Sequence, residues 1–471
     1  MGKADRISLP DQPGVVPVTM IGLEVHVQLP TKSKLFCSCP NTASDDPNSL
    51  VCPTCLGLPG SKPSVNRRAL ELACIAARTL HCSLLDKTWF SRKTYFYPDL
   101  AKNFQITQYE APIGVDGFLV MNGKRIGISR VHVEEDPASA VHDFAPEQEY
   151  SLLDYNRSGV PLIEIVTKPD MTSPAEARDF LRTMLGELRY VGVVVAGEDL
   201  KVRTDANISI QGGERVEIKN ITGLRNLERA LEFEERRQMK LLKARMSVRR
   251  ETRSFDEEKG VTVASREKEE EEDYGYIFEP DLPVFDLREL SSKMSFPMTA
   301  TEKSLELSKR FGLEVADVKS LLIDSKELGE LLEDLSQRVD PAKALRWISS
   351  VIKAEHYKHP EIHLDSVKKE IERVIAADSE GRISDVVAKN AFKSIFETGS
   401  AGELTELEEA EEELVRMVAE ILDNEPKLLE EIKKQPKALN NIVGRIIRQS
   451  KGRFDSRRVF EVVKSEVEKR S

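Results

Sequence analysis

The chain has 471 residues, enough for about three domains of ordinary size. Its 40% hydrophobic and 32% charged residues are typical of a globular protein, and no apolar run reaches the roughly 20 residues that a membrane helix needs. A net charge of −11 argues against a protein that coats nucleic acid, although it allows a local basic patch. Because the N-terminus also lacks the apolar stretch of a secretory signal, we expect a cytoplasmic protein.

Strands and helices are mixed in the first part of the chain. Alternating apolar and polar residues predict half-buried strands over 23–29, 131–134 and 202–210. Capping residues predict two helices, one opened by residues 64–66 and running to Leu80, and one with Ser173 at its N-cap and Pro174 at its first position. This mixture indicates an α+β domain.

The composition changes twice further along the chain. A charged run over 256–275 predicts a solvated hairpin or loop, and from about Thr299 helix-forming residues dominate, which predicts an all-α region. A polar break at 398–402 precedes a last segment that begins acidic. That segment ends basic, because residues 433–471 hold 12 Lys and Arg against 4 Asp and Glu, a local charge of +8. We therefore expect three parts, at 1–292, 293–398 and 399–471.

Four of the six cysteines form two close pairs. Cys37 and Cys39 are followed, after twelve residues, by Cys52 and Cys55. Two such pairs supply the four corners of a tetrahedral thiolate site, and four protein ligands leave no open position, so the pattern predicts a structural zinc module near 37–55. The alternative is four unrelated reduced thiols. Cys74 and Cys82 are interpreted as ordinary buried thiols.

Acidic and imidazole side chains project from the polar faces of the three predicted strands. They are Glu24 and His26 on the first, His132, Glu134 and Asp136 with Glu135 beside them on the second, and Asp205 on the third. Carboxylates and imidazoles can hold Mg²⁺, and three consecutive acids repel one another unless a cation or arginines neutralise them. The alternative is that each face is simply solvated.

Other motifs are equivocal or absent. The segment 91–100 mixes cations and aromatic residues, which suits contact with phosphates and bases but also suits a surface turn. The sequence has no phosphate-binding P-loop, no G-x-S-x-G motif and no Gly/Ser-rich amidase loop. These absences argue against a P-loop kinase and a serine hydrolase.

Ten segments, in one order, resemble the GatB family, which forms the B subunit of the glutamyl-/aspartyl-tRNA amidotransferases. They are 21–29, 37–60, 92–108, 128–136, 153–167, 203–210, 217–220, 251–262, 280–283 and 442–452. The resemblance implies an N-terminal cradle with a largely antiparallel sheet, a helical domain, and a small helical tail domain that binds tRNA. It also implies a heterotrimer whose other members are an amidase and a small third protein.

The activity implied by the resemblance is transamidation. Glu on tRNA(Gln), Asp on tRNA(Asn), or both would be phosphorylated on the side-chain carboxylate by ATP, and ammonia from the partner amidase would displace the phosphate. Two other hypotheses stay open at this point. One is a tRNA-binding scaffold without catalytic groups, and the other is a stand-alone ATP-dependent ligase for a small acid, against which the basic tail argues.

The resemblance also implies which residues act. The magnesium ligands would be Glu24, His26, Glu135 and Asp205. Glu134 and Glu164 would be further catalytic residues, around the first ion or on a second one. The weaker candidates for binding phosphates of ATP or tRNA are Arg92, Lys93, Arg157 and Lys219.

Overall fold

A computed structural model describes residues 17–141, 152–195, 202–266, 275–404, 407–424, 439–450, 454 and 456–470. The chain divides between Ala300 and Thr301 into two compact units. The first unit contains every strand of the described residues, and the second consists of helices.

The strands of the first unit are named in chain order. They are β1 (Thr19–Gln28), β2 (Ser83–Leu84), β3 (Lys87–Thr88), β4 (Ser91–Thr94), β5 (Phe104–Thr107), β6 (Gly114–Met121), β7 (Lys124–Glu135), β8 (Ser139–Val141), β9 (Leu152–Asp154), β10 (Pro161–Thr167), β11 (Arg203–Ile210), β12 (Val216–Thr222), β13 (Glu251–Asp256), β14 (Val261–Arg266), β15 (Gly275–Phe278) and β16 (Phe285–Asp286).

The helices are numbered in the same way. They are α1 (Arg67–Thr79), α2 (Pro174–Tyr190), α3 (Leu224–Lys243), α4 (Leu287–Ser292), α5 (Ala300–Phe311), α6 (Val315–Asp324), α7 (Lys326–Leu335), α8 (Pro341–Trp347), α9 (Lys353–Lys358), α10 (Leu364–Ser379), α11 (Asp385–Thr398), α12 (Leu407–Asn424), α13 (Leu439–Gln449) and α14 (Ser456–Lys469). A π-helical turn, Ile348–Ile352, joins α8 to α9.

Nine strands form one sheet in the order β14-β13-β12-β11-β1-β10-β7-β6-β2. Its neighbours are antiparallel except for β12 and β13, which run parallel. The central strand β1 therefore lies between β10 and β11, two strands that are distant from it in the sequence. Besides the nine-stranded sheet, the first unit has three small sheets, with the strand orders β15-β4-β5, β16-β3 and β8-β9.

One face of the large sheet is covered by helices α1, α2 and α3. Apolar residues at alternate strand positions, such as Val25, Val133 and Ile163, point into that layer and are fully buried. The helices begin where their capping residues predict. The side chain of Asn66 accepts a hydrogen bond from the backbone of Arg68, and that of Ser173 accepts one from the backbone of Glu176.

The second unit is helical from α5 to α14. Its helix α11 ends at Thr398, where Gly399 has the left-handed backbone conformation (φ 83°) that glycine adopts without strain. The last three helices share a hydrophobic cluster of their own, which includes Leu414, Ile442 and Val463. This cluster follows the polar break at 398–402 in the chain.

The predicted fold class is confirmed, because a mixed unit with a mostly antiparallel sheet precedes an all-helical region. The three-part division at 292 and 398 stays a prediction beside the observed division at residue 300. Part of the charged run, at 267–274, and the basic positions 433, 434, 437, 451 and 453 lie outside the described residues.

Candidate active site

The face of the large sheet opposite helices α1, α2 and α3 carries a polar surface at its centre. It is built by β7, β10, β1 and β11, which lie side by side. Because side chains alternate between the two faces of a strand, the residues between the buried apolar positions all point to this surface. The register places Glu164 opposite both His26 and His132, and it places Asp205 opposite Glu24.

The first group on this surface consists of His26, Glu134 and Glu164. Nε2 of His26 lies 3.4 Å from Oε1 of Glu134 and 3.3 Å from Oε2 of Glu164. One ligand atom from each of the three residues lies within 4.8 Å of the others. The two carboxylates at this spacing can hold a divalent cation such as Mg²⁺, which prefers oxygen ligands, and the imidazole of His26 could be a further donor only in its neutral form.

Electrostatics in this group favour positive charge between the carboxylates. Burial alone would lower the pKa of His26, but hydrogen bonding to Glu164 and the nearby charge of Glu134 raise it to about 9. Burial alone would raise the pKa of Glu164, but the charges and hydrogen bonds of His132 and His26 hold it well below its usual value. A proton on His26 therefore supplies the charge that a bound cation would supply instead.

His132 is a further member of this neighbourhood. It is almost completely buried, and its Nε2 lies 3.5 Å from Oε2 of Glu164. Its other ring nitrogen, Nδ1, has no hydrogen-bond partner among the described residues. The alternating pattern placed His132 on this face, but sequence reasoning did not select it as a site residue.

The second group consists of Glu24, Asp205 and Glu217, whose carboxylates also lie within 4.8 Å of one another. Glu24 accepts a hydrogen bond of 3.0 Å from Nδ2 of Asn207, and Asp205 accepts one of 2.8 Å from the backbone of Asn220. Burial first, and then Glu164, Glu217 and Asp205, raise the pKa of Glu24. Such mutual repulsion is relieved when a cation binds.

A bulge in the pairing of β11 with β12 shapes this second group. The register shifts between Thr204 and Ala206, and Asn220 in the partner strand has a left-handed backbone with φ of 60°. Its N–H thereby faces the Asp205 carboxylate. Glu217 was part of a segment that carried the family resemblance, but it was not selected as a ligand.

Glu135 is not brought to either group. As the neighbour of Glu134 on β7, it points to the other side of the strand. Its carboxylate lies 2.7 Å from Nζ of Lys102 and accepts a hydrogen bond of 2.9 Å from the backbone of Ile106. The predicted set of Glu24, His26, Glu135 and Asp205 is therefore spread over three places, and Glu134 and Glu164 are the carboxylates that lie beside His26.

The four predicted phosphate-binding cations are placed differently. Arg92 donates two hydrogen bonds of 2.8 Å to the buried carboxylate of Glu279. Arg157 donates to the backbone carbonyls of Pro137 and Ala138. Nζ of Lys93 lies 5.9 Å from the centre of the Tyr95 ring.

Lys219 is half-buried on β12, and its charge acts to lower the pKa of Asp205, which burial raises. Lys219 therefore lies near the group formed by Glu24, Asp205 and Glu217, whereas Arg157 lies 3.4 Å from the carboxylate of Asp136.

Arg203 is a cation of this surface that sequence reasoning did not select. It lies opposite His26 in the β1–β11 pairing, and its Nη2 donates a hydrogen bond of 2.6 Å to the buried carboxylate of Asp136. Burial alone would lower the pKa of Arg203, but the charges of Asp136, Glu134 and Asp205 raise it. Its guanidinium therefore borders both carboxylate groups.

The predicted zinc ligands form a separate cluster. One sulfur from each of Cys37, Cys39, Cys52 and Cys55 lies within 4.8 Å of the others, and those of Cys52 and Cys55 are 3.8 Å apart. A zinc ion about 2.3 Å from four sulfurs requires them to be about 3.8 Å apart, so the cluster fits this metal. Cys74 and Cys82 are both buried, as predicted for core thiols.

Comparison with known proteins identifies the family. A profile described as the GatB/GatE catalytic domain matches residues 19–292, and one described as the GatB domain matches residues 330–467. The chain belongs to the GatB family. The predicted family and its class, a component of a ligase complex, are thereby confirmed.

Similar proteins come from archaea and bacteria. The chain is 37% identical over 471 residues to the B subunit of the aspartyl/glutamyl-tRNA(Asn/Gln) amidotransferase of Methanospirillum hungatei, covering 96% of this chain and 99% of that protein. It is 39% identical to the protein of the same name from Sulfolobus acidocaldarius, and the match covers 95% of this chain and 99% of that protein. It is 38% identical to the Thermotoga maritima protein of that name, and the match covers 92% of this chain and 95% of that protein.

No helix in the described parts of the chain is both long and apolar enough to cross a membrane.

Proposed function

We propose that this GatB-family chain is the component that activates the amino acid in an ATP-dependent tRNA amidotransferase. Its substrates are Glu-tRNA(Gln), Asp-tRNA(Asn) or both, as in the names of its relatives. The observation that carries the proposal is the polar surface, where two carboxylate groups and Arg203 meet on the central strands. A scaffold without catalytic groups would have no need for this arrangement.

The reaction requires transfer of the γ-phosphoryl group of ATP to the side-chain carboxylate of the amino acid on tRNA. Phosphoryl transfer depends mainly on positioning and on neutralisation of charge. His26, Glu134 and Glu164 would hold one Mg²⁺, and Glu24 and Asp205 with Glu217 would hold a second. Mg²⁺ bound there would supply positive charge that offsets the negative charge of the phosphates.

Arg203 and Lys219 would complete the neutralisation. Arg203 is oriented by Asp136, so its guanidinium meets the phosphate from a fixed direction at no cost of ordering in the transition state. Lys219 lies on the neighbouring strand β12, near Asp205. Asn207 holds Glu24 by a hydrogen bond and would keep that carboxylate aimed at its cation.

Ammonia would come from a partner. The sequence has no amidase loop, so a separate amidase, joined with this chain and a small third protein in a heterotrimer, would release ammonia from glutamine. Ammonia attacks the acyl phosphate carbon, the C–O bond to phosphate breaks, and an amide and inorganic phosphate result. The helical tail would bind the body of the tRNA, and a structural Zn²⁺ would occupy the four cysteines of the first unit.

A complex reconstituted with the amidase and the small third protein tests this proposal. We expect amide formation on misacylated tRNA to need ATP and Mg²⁺, with one ADP released per amide. Glu164→Gln in this chain should abolish amide formation while tRNA binding persists, because the carboxylate serves a cation and not an anionic partner. Amide formation near the wild-type rate in this variant would instead indicate a scaffold.

A further inference from the structure

Lys34 is a lysine with 0% of its surface exposed. Lysine is almost never fully buried unless an anion compensates its charge, because transfer of an ammonium group from water is costly. Its backbone N–H donates to the carbonyl of Cys39, which places the residue within the cysteine module. The anion that compensates this buried charge is therefore to be sought inside the module.

The contacts of the ammonium group identify that anion. Nζ lies 2.8 Å from the carbonyl oxygen of Leu50, 3.4 Å from that of Tyr155 and 3.8 Å from Sγ of Cys55. The two carbonyls are neutral. Among the described residues no carboxylate lies within 4.0 Å of Nζ, so the sulfur of Cys55 is the one contacting group that can be anionic.

The charge of a four-cysteine zinc site matches this need. Four thiolates and one Zn²⁺ carry a net charge of −2, and half-buried or buried sulfurs surround it here. A buried ammonium at one sulfur reduces the charge of the whole assembly and donates a hydrogen bond to that thiolate. Such partners of metal ligands fix the geometry and tune affinity.

We propose that the ammonium group of Lys34 compensates part of the negative charge of a zinc–thiolate centre through its contact with Sγ of Cys55. The opposite charges of the lysine and of the zinc–thiolate centre would thereby offset the cost of burying both.

The same lysine connects the zinc module to the strand that carries Glu164. Nζ contacts the carbonyl of Tyr155, the hydroxyl of Ser158 donates to the carbonyl of Cys55, and the N–H of Leu35 donates to the carbonyl of Gly159. The turn over 155–160 leads directly into β10. Loss of the lysine or of the metal should therefore loosen this turn, which hydrogen exchange of its backbone amides reports.

The first test compares zinc affinity in Lys34→Met, Lys34→Arg and Lys62→Met. Lys62 is the matched control, because its side chain is 75% exposed and pairs with Asp281. In chelator competition we expect Lys34→Met to bind zinc about 10- to 100-fold more weakly. The zinc affinity of Lys34→Arg should be close to that of the wild type, and the zinc affinity of Lys62→Met should equal it. Of these three variants, only Lys34→Met should show faster hydrogen exchange of the backbone amides at 155–160.

Two results would overturn the proposal. One is wild-type zinc affinity in Lys34→Met, and the other is a wild-type chain that purifies without stoichiometric zinc and does not take it up.

A second pair of variants tests the proposal if Lys34→Met does not fold. Cys55→His replaces the sulfur beside Lys34 by a neutral zinc ligand, whereas Cys39→His makes the same exchange at a sulfur that Lys34 does not contact. Cys55→His should lose more zinc affinity than Cys39→His. Equal affinities in the two variants would contradict a role for the ammonium group.

Discussion

Glu134 and Glu135 are neighbours in the chain, but they serve different surroundings. Glu134 faces His26 on the polar surface, and Glu135 faces Lys102 on the other side of β7. The alternating pattern by itself grouped His132 with Glu134 and set Glu135 beside them, whereas the family resemblance put Glu135 among the metal ligands. At the scale of one residue, strand periodicity was the better guide to direction.

This difference can be measured with a matched pair of variants. Glu134→Gln removes one charge from the first carboxylate group, so the dissociation constant of Mn²⁺, an EPR-visible substitute for Mg²⁺, should rise about tenfold or more. Glu135→Gln removes one charge on the other face and should bind Mn²⁺ like the wild type. A larger loss in Glu135→Gln would contradict the proposed ligand set.

Arg203 offers a second prediction at this scale. Arg203→Met removes the cation that borders both carboxylate groups, and we expect kcat/KM for ATP to fall about a hundredfold, as when one fixed donor to a developing anion is lost. Arg125→Met is the control, because Arg125 is exposed at the other end of β7. Steady-state ATP consumption with misacylated tRNA gives kcat/KM for each of the two variants. Equal kinetics in the two variants would exclude a role in phosphate binding.

Local sequence patterns were sufficient to predict which segments are helices or strands, but not how the strands are arranged in the sheet. Alternation predicted β1, β7 and β11, and caps predicted α1 and α2, because each signal is contained in a few consecutive residues. The position of β1 between β10 and β11 depends on pairing across long stretches of chain. The bulge beside Asn220 depends on the register of the β11–β12 hairpin. The burial of Lys34 depends on contact with the distant Tyr155, so neither feature was predictable from a local pattern.

The cysteine module leads to a prediction for a whole element. Cys52→Ala removes one of four metal ligands, and we expect the thermal unfolding midpoint to drop by about 5 °C or more, roughly 1–2 kcal/mol for a domain of this size. A strong chelator should lower the midpoint of the wild type but not that of Cys52→Ala.

Cys82→Ala provides the control for this measurement. It removes a buried thiol that is not one of the four ligands, so it should keep the response to the chelator. A wild-type midpoint that the chelator does not change would count against the zinc site.

At the scale of the whole molecule, charge is distributed very unevenly. The net charge is −11, yet residues 433–471 carry +8. Deleting residues 403–471 should weaken tRNA binding and flatten its dependence on salt, because lysines and arginines that meet phosphates release counterions. Affinity measured at two salt concentrations tests this, and identical affinities and slopes would mean that the tail does not contact tRNA.

The proposed reaction passes through an acyl phosphate on the amino-acid side chain, and hydroxylamine traps such a species as a hydroxamate. The measurement uses the complete complex with misacylated tRNA, ATP and Mg²⁺, without glutamine or ammonia. We predict a hydroxamate on the amino-acid side chain with the wild type and none with Glu164→Gln or without ATP. Equal hydroxamate from Glu164→Gln, or none from the active wild type, would contradict phosphorylation at this surface.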